Sequence, residues 1–564
     1  MNAGPAVEHE PWPLRGLLLL LLGAILALSI HFLTRGAAEW QWTENPARLG
    51  AAAALAAGGI VFGFSLERRR WLWSLLFALV AGLVVGFITY WNGPPESWGA
   101  GEGWQLASAL LALVIAVPLF QASRDAGRWN PDYGTVHAHI LTNIVLWFVA
   151  WGFVLLTVLL MMLLSELFQL IGIAALRDLL RKPWVPWLLV GGAFGAAVGL
   201  PRDRDRIVGT LQRVATAILA VLAPILAAGL VIFVLALPFT GLEPLWEQTR
   251  ATTPILLICI IGAVVLINAV IGSGSEEDEA RPRIVSWAAA ALAAVMLPLA
   301  LVAAVSTGKR IAQHGFTPDR LWAAVFIAIT VGGAAAYLYA VVRGRARWPA
   351  LLRSVNLRVA IGICLVALFL ALPIVSFGAI STRDQLDRLQ SGRIAPEEFD
   401  WAAMRFDFGP SGRRALERLA AGPNLVVRQR ARDALRASDR WFVDPVERAE
   451  TKRPRAAVRA EGGVPVPATL ADAIARTGSC GDGKCRLVFV DPKRAVLLLP
   501  GCGNCNYIFD ARPDGTWVQH YPAPPSTSAA TAPPVDSARG RVEVRKVERQ
   551  QLFIDGRPVG DAFE

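Results

Sequence analysis

Four of the six cysteines crowd into one stretch near the carboxyl end. Cys480, Cys485, Cys502 and Cys505 spell C-x4-C, a gap, then C-x2-C. Three chemistries use such a set: a thiolate redox pair, a tetrahedral zinc site, or structural disulfides. A redox C-x-x-C needs its first sulfur at a helix N-terminus, where the backbone dipole holds the thiolate. Here "NYIFD" follows Cys505 and favours a strand, so that support is missing. If "DPKR" turns a hairpin, residues equidistant from it face each other. Cys485 then falls near Cys502 and Cys480 near Cys505, with all four sulfurs at one end. Two disulfides are the favoured reading, stapling a small β-module that is poor in core. Zinc held by the same four cysteines is the alternative. Cys259 and Cys364 fall in apolar runs, where small thiols are ordinary.

The remaining candidates are polar residues in or beside long apolar segments. His137 and His139 form "HAH", but residues two apart on a helix do not share a face, so the pair is poorly placed to chelate. Interfacial or pore-lining histidines fit better. Glu166, in "LLSELF", is an ionisable group next to a long apolar run. It is either functional at membrane depth or solvated at the interface. Asn143 and Asn268 are expected to bond between helices, and Arg213 to reach back to the surface. The chain lacks G-x-x-x-x-G-K-[ST], H-E-x-x-H and G-x-S-x-G, which removes P-loop, zincin and serine-hydrolase chemistry from consideration. No catalytic constellation and no cofactor is expected.

The elements that must hold these residues are mostly membrane spans. The chain has 564 residues, of which 54% are hydrophobic and only 18% charged. Soluble domains carry about 25% charged residues. The apolar residues come in blocks such as "LLICIIGAVVLINAVIG", and crossing a bilayer takes about 20 helical residues. Eleven spans are expected, near 14–32, 47–65, 71–90, 104–120, 140–164, 184–200, 207–237, 252–271, 284–305, 321–342 and 357–377. The run after Ile140 is too long for one crossing. It reads as a span to about Leu164, then a segment lying in the interface or dipping back.

Basic residues recur in every second loop: "ERRR", "SRDAGR", "PRDRDR", "EARPR" and "RGRARW". Such loops face the cytoplasm. The amino terminus is then inside, and an odd number of spans leaves the carboxyl end outside. "RDLLRK" (177–182) is the exception, being basic on the outer side. The net charge of +11 is accounted for by these loops, and no basic stripe with interleaved aromatics suggests nucleic acid. The expected partners are the lipid bilayer and an envelope protein.

The fold class expected is thus a mainly α transmembrane bundle with a small C-terminal α+β extracytoplasmic module. The bundle covers 1–379, a helical segment 380–445, a Cys-bearing β-module 446–522, a flexible linker 523–538 and a closing hairpin 539–564. In the helical segment, "STRDQLDRLQSG", "APEEFDWAAMRF" (starting at Pro396) and "GPSGRRALERLAAGP" each read as a helix. "CRLVFV", "AVLLLP", "CNYIFD" and "TWVQHY" read as strands, and "LFIDGRPVG" as a hairpin on a D-G turn.

Two phrases carry a family resemblance: "LLSELFQLIGIAAL" (Leu163–Leu176) and "DQLDRLQSGRIAPEEFDWAAMRFDFGPSGRRALERLA" (Asp384–Ala420). With the apolar multi-pass half, they make the chain similar to the bacterial membrane family of domain of unknown function 4153. The resemblance covers most of the membrane half and the helical start of the tail. It implies an integral inner-membrane protein and brings no reaction, cofactor or catalytic residue. The function expected is non-enzymatic, in transport or envelope maintenance. A sensor or scaffold using the tail, or an enzyme acting on lipid-linked substrate, are the alternatives.

Overall fold

The computed structural model describes residues 12, 14–36, 42–95, 98–199, 205–241, 252–274, 282–437, 440, 459–461, 464–477, 485–498, 506–512, 515–520, 550–554 and 557–563. The linker expected at 523–538 and three of the four tail cysteines, Cys480, Cys502 and Cys505, lie outside the described residues. The chain divides into two compact units, Met1–Arg436 and Ala437–Glu564.

In the first unit, all eleven expected apolar segments are helical. They are α1 (Arg15–Thr34), α2 (Pro46–Ser65), α3 (Trp71–Asn92), α4 (Ala100–Ala126), α5 (Tyr133–Leu170), α7 (Trp184–Gly199) and α8 (Asp205–Thr240). The others are α9 (Thr252–Ile271), α10 (Arg283–His314), α11 (Pro318–Gly344) and α12 (Trp348–Ala371), and a short α6 (Ala175–Leu180) follows α5. Among the described residues, nine stretches are long and apolar enough to cross a membrane. One of them, Pro318–Ala371, contains both α11 and α12, separated by a single 3-10 turn at Arg345–Arg347. The 16-residue α7 is apolar but shorter. The chain is therefore a membrane protein with multiple transmembrane helices.

One segment departs from expectation. The helix after Ile140 does not stop near Leu164. It runs unbroken from Tyr133 to Leu170, 38 residues or about 57 Å. No Gly or Pro interrupts it between Phe153 and Leu170. It ends where Gly172, at φ 81°, takes a conformation that other residues avoid.

Side-chain size explains the tightest helix pairs. Lipid is as apolar as leucine, so membrane helices gain by close packing, which small residues permit. In α7, Gly191, Gly195 and Gly199 recur every fourth residue and lie against Gly23, Leu19 and Gly16 of α1. In α2, Gly50, Ala54 and Gly58 meet Gly86 and Gly82 of α3 in the same manner. A methyl group on Gly82 would come within 2.6 Å of the Ala54 carbonyl oxygen. Both pairs run antiparallel, and α7 accompanies α1 from Gly16 to His31, whose ring lies 5.9 Å from that of Trp187. A second core joins α8 to α12, with Ala223, Ala263, Ala293 and Ala334 fully buried among Leu292, Leu299 and Leu352.

After Ala371 come four short helices: α13 (Phe377–Gln390), α14 (Trp401–Phe406), α15 (Gly409–Ala420) and α16 (Leu425–Arg436). The α14 helix begins at Trp401 rather than at Pro396. Asp400 caps it by accepting a bond from the Ala403 amide at 2.8 Å, and the Trp401 indole donates to the Pro396 carbonyl. The side-chain cap and the buried Phe399–Trp401 pair, 4.6 Å between centroids, outweigh the proline signal.

The second unit contains a five-stranded sheet in sequence order, β1 (Arg459–Ala460), β2 (Arg486–Asp491), β3 (Arg494–Leu498), β4 (Asn506–Ala511) and β5 (Trp517–His520). Strands β2 to β5 are antiparallel neighbours, and β1 joins β2 in parallel. The four expected strands are thus present, and "DPKR" does turn β2 into β3. Leu487, Leu497 and Phe509 are fully buried with Leu470 and Ile474 of α17 (Ala468–Thr477), a helix the sequence reading did not foresee. The closing hairpin is β6 (Gln550–Ile554) with β7 (Arg557–Phe563).

Candidate functional site

Buried polar side chains in the first unit gather at helix ends. The carboxyl end of a helix leaves its last carbonyls without intrahelical donors, and lipid supplies no water to fill them. A cation there also meets the negative end of the helix dipole. At the end of α2, Gln121 of α4 donates to the Phe64 carbonyl at 2.6 Å. The Ser65 carbonyl accepts from Ser74 of α3 at 2.6 Å and from the Arg124 guanidinium. The Leu66 carbonyl accepts from Arg15 of α1. One helix end is thus closed by donors from three neighbours.

The two arginines are buried, at 3% and 7% exposure, and each has an acid. Arg15 pairs with Glu67 at 2.8 Å, and Arg124 with Asp125 at 2.7 Å. Asp125 also faces the His139 imidazole of α5 at 3.2 Å. One turn further along α5, Asn143 exchanges amide bonds with Gln121, at 2.8 and 3.3 Å.

The same device recurs elsewhere. Arg48 caps α1 through the Phe32 and Arg35 carbonyls, Arg70 caps α4 through Arg124, and Arg353 caps α9 through Ile271. Arg320 donates to His314 and Gly315 at the end of α10. Arg70 and Arg124, which read in the sequence as loop charges setting orientation, also work as helix caps. With Arg48 and Arg320, arginine caps occur at both ends of the bundle.

A second node centres on Asn268 of α9. Its amide oxygen accepts from Tyr133 of α5 at 3.2 Å and from Asn356 of α12 at 2.7 Å. Its nitrogen donates to the Tyr337 hydroxyl of α11 at 3.0 Å and to its own Val264 carbonyl. All four bonding positions of one amide are used, and four helices meet there. His137 belongs to this node through Tyr133, 3.5 Å away.

His137 and His139 therefore serve different networks, and Asn143 and Asn268 each join helices. Glu166 is exposed near the far end of α5, about 43 Å along the helix from His137. The structure does not bring it to the histidines. Among the described residues, no three metal-ligand side chains converge. Cys485 is buried. Sequence reading missed Arg15, Gln121, Tyr337 and Asn356. For Gln121, a lone polar residue between "VPLF" and "ASRD" was the available signal.

At the opposite end of the bundle, α13 docks on the α10–α11 loop. Asp384 accepts from the Phe316 amide at 2.8 Å, and Gln385 donates to the His314 and Phe316 carbonyls. Phe377 meets the buried Trp322 edge to face, 5.0 Å between centroids. Between α13 and α15 lies an open groove of about 900 Å³, lined by Thr382, Arg383, Asp387, Arg414, Glu417 and Arg418. A second cavity, about 420 Å³ and mostly apolar, lies among α3, α4 and α12.

Fold and site together define a multi-pass membrane protein whose last span continues into a helical appendage locked onto the loops between spans. The chain belongs to the family described as Domain of unknown function (DUF4153), whose model matches residues 50–419. That match takes in the span cores from α2 onward and the docked appendage through α15. No curated protein and no solved structure matches the chain.

Proposed function

We propose that this chain is a non-enzymatic protein of the bacterial inner membrane that serves envelope maintenance as a rigid platform. The ten long apolar helices and the shorter α7 all cross the bilayer, the amino terminus is cytoplasmic, and the appendage and β-module are periplasmic. The groove between α13 and α15 receives an envelope protein partner. The observation that carries this reading is the docking of the appendage through Asp384, Gln385 and Phe377, which presents a charged groove on a fixed support. The buried polar side chains of the spans support a platform over a transporter, since they are spent on capping and on joining helices. In an oxidising periplasm the four tail cysteines form two disulfides. The register supports a gathering of cysteines, since Arg486, next to Cys485, and Asn506, next to Cys505 in sequence, both pair with Leu498 at one end of the sheet.

The test is complementation of a deletion strain under envelope stress. A chain carrying Arg383→Glu, Arg414→Glu and Arg418→Glu is expected to insert normally and fail to restore growth. Full restoration by that variant refutes the groove as the working surface. Solute flux through proteoliposomes of the purified protein refutes the platform.

A further inference from the structure

We propose that the apolar cleft among α3, α4 and α12 holds one acyl chain of an anionic phospholipid, with the phosphate resting on the arginines at its mouth. The cleft, about 420 Å³, is within the size range of ligand pockets, roughly 300–1,000 Å³. Its walls are Leu76, Phe77 and Val80 of α3, Leu119 and Phe120 of α4, and Ile361 of α12. Phe77 and Phe120 stack at 4.2 Å and 6°, a flat aromatic surface suited to a methylene chain. The lining is almost wholly hydrocarbon, which excludes a polar solute.

The mouth differs from the walls. Trp73 and Trp129 also line the cleft and are 58% and 90% exposed, and tryptophan settles at headgroup level. Arg68, Arg69 and Arg70 directly precede α3, and Arg128 precedes Trp129; all four are exposed. The Arg70 guanidinium reaches across to the end of α4, donating to the Arg124 carbonyl and lying over Gly127. The acids nearby are already engaged, Glu67 with Arg15, Asp125 with Arg124 and His139, and Asp132 with the Gly134 amide. The excess of positive charge at the opening of an apolar crevice selects a headgroup of net negative charge.

Native mass spectrometry of the purified full chain in mild detergent tests this, with phosphatidylglycerol and phosphatidylethanolamine of matched chains as probes. The expected result is one phosphatidylglycerol retained, at least fivefold over phosphatidylethanolamine. Arg70→Gln with Arg128→Gln brings the two lipids to parity, and Ala116→Trp, which fills the cleft, abolishes retention of both. A fold-independent readout uses the native thiols. Phosphatidylglycerol is expected to slow maleimide labelling of Cys364, which lines the cleft, several-fold, while leaving Cys259 on α9 unchanged. Equal retention of the two lipids by the native chain, or Cys364 labelling indifferent to phosphatidylglycerol, overturns the proposal. So does a well-folded Ala116→Trp chain that still retains lipid.

Discussion

Replacing Asn268 with leucine keeps the volume and removes every bond at the node of α5, α9, α11 and α12. Three interhelical bonds are lost, to Tyr133, Asn356 and Tyr337. Interhelical side-chain bonds in membranes average about 0.6 kcal/mol and reach about 1.7. The expected loss is therefore about 2 kcal/mol, since the partners span three different helices. It is read as a reduced unfolding free energy in detergent micelles, with Tyr337→Phe and the double variant completing a cycle. Tyr337 is 4% exposed, so solvent does not replace its lost donor, and a coupling of about 0.6 kcal/mol is expected. An Asn268→Leu chain as stable as the native one refutes the reasoning. Strict additivity of the two substitutions does the same.

Four further outcomes follow from contacts described above. Gly195→Leu has no room against Leu19 of α1 and is expected to abolish folded protein, measured as monodisperse yield after extraction. Arg124→Leu removes a buried donor to the Ser65 carbonyl and leaves Asp125 with His139 as its remaining partner; a cost of about 1–3 kcal/mol is expected, read as loss of thermal stability. Gln385→Leu removes two bonds from α13 to the α10–α11 loop, and limited proteolysis should then cut the appendage faster while the spans stay intact. A non-reduced digest is expected to give Cys485–Cys502 and Cys480–Cys505 peptides; a Cys480–Cys485 peptide contradicts that pairing.

The spans were legible because each is a run of apolar residues long enough to stand alone as a signal. Strands β2 to β5 were legible for a similar reason, being short β-rich runs between turn residues. Errors fell where two local signals competed. Pro396 read as a helix start, yet Asp400 caps the helix through the Ala403 amide. The length of α5 was misjudged because apolar texture alone does not say where a helix leaves the bilayer. The polar networks were illegible for a different reason: their partners are far apart in sequence. Asn268 meets Tyr133 and Asn356, and Phe64 meets Gln121. Each such residue looks like an isolated polar side chain until the helices are packed. The arginines misled more subtly, since their charge fitted a loop role while their donors served carbonyls across the bundle.

The closure of α2 has a consequence for biogenesis. Arg15 is already in place for the Leu66 carbonyl, but the carbonyls of Phe64 and Ser65 wait for Gln121 and Arg124, which a ribosome adds some two helices later. Until then the first hairpin sits in lipid with exposed acceptors, an unfinished piece that a membrane protease or insertion chaperone can recognise. Nascent chains arrested before α4 should be cleared rapidly, and those arrested after it spared.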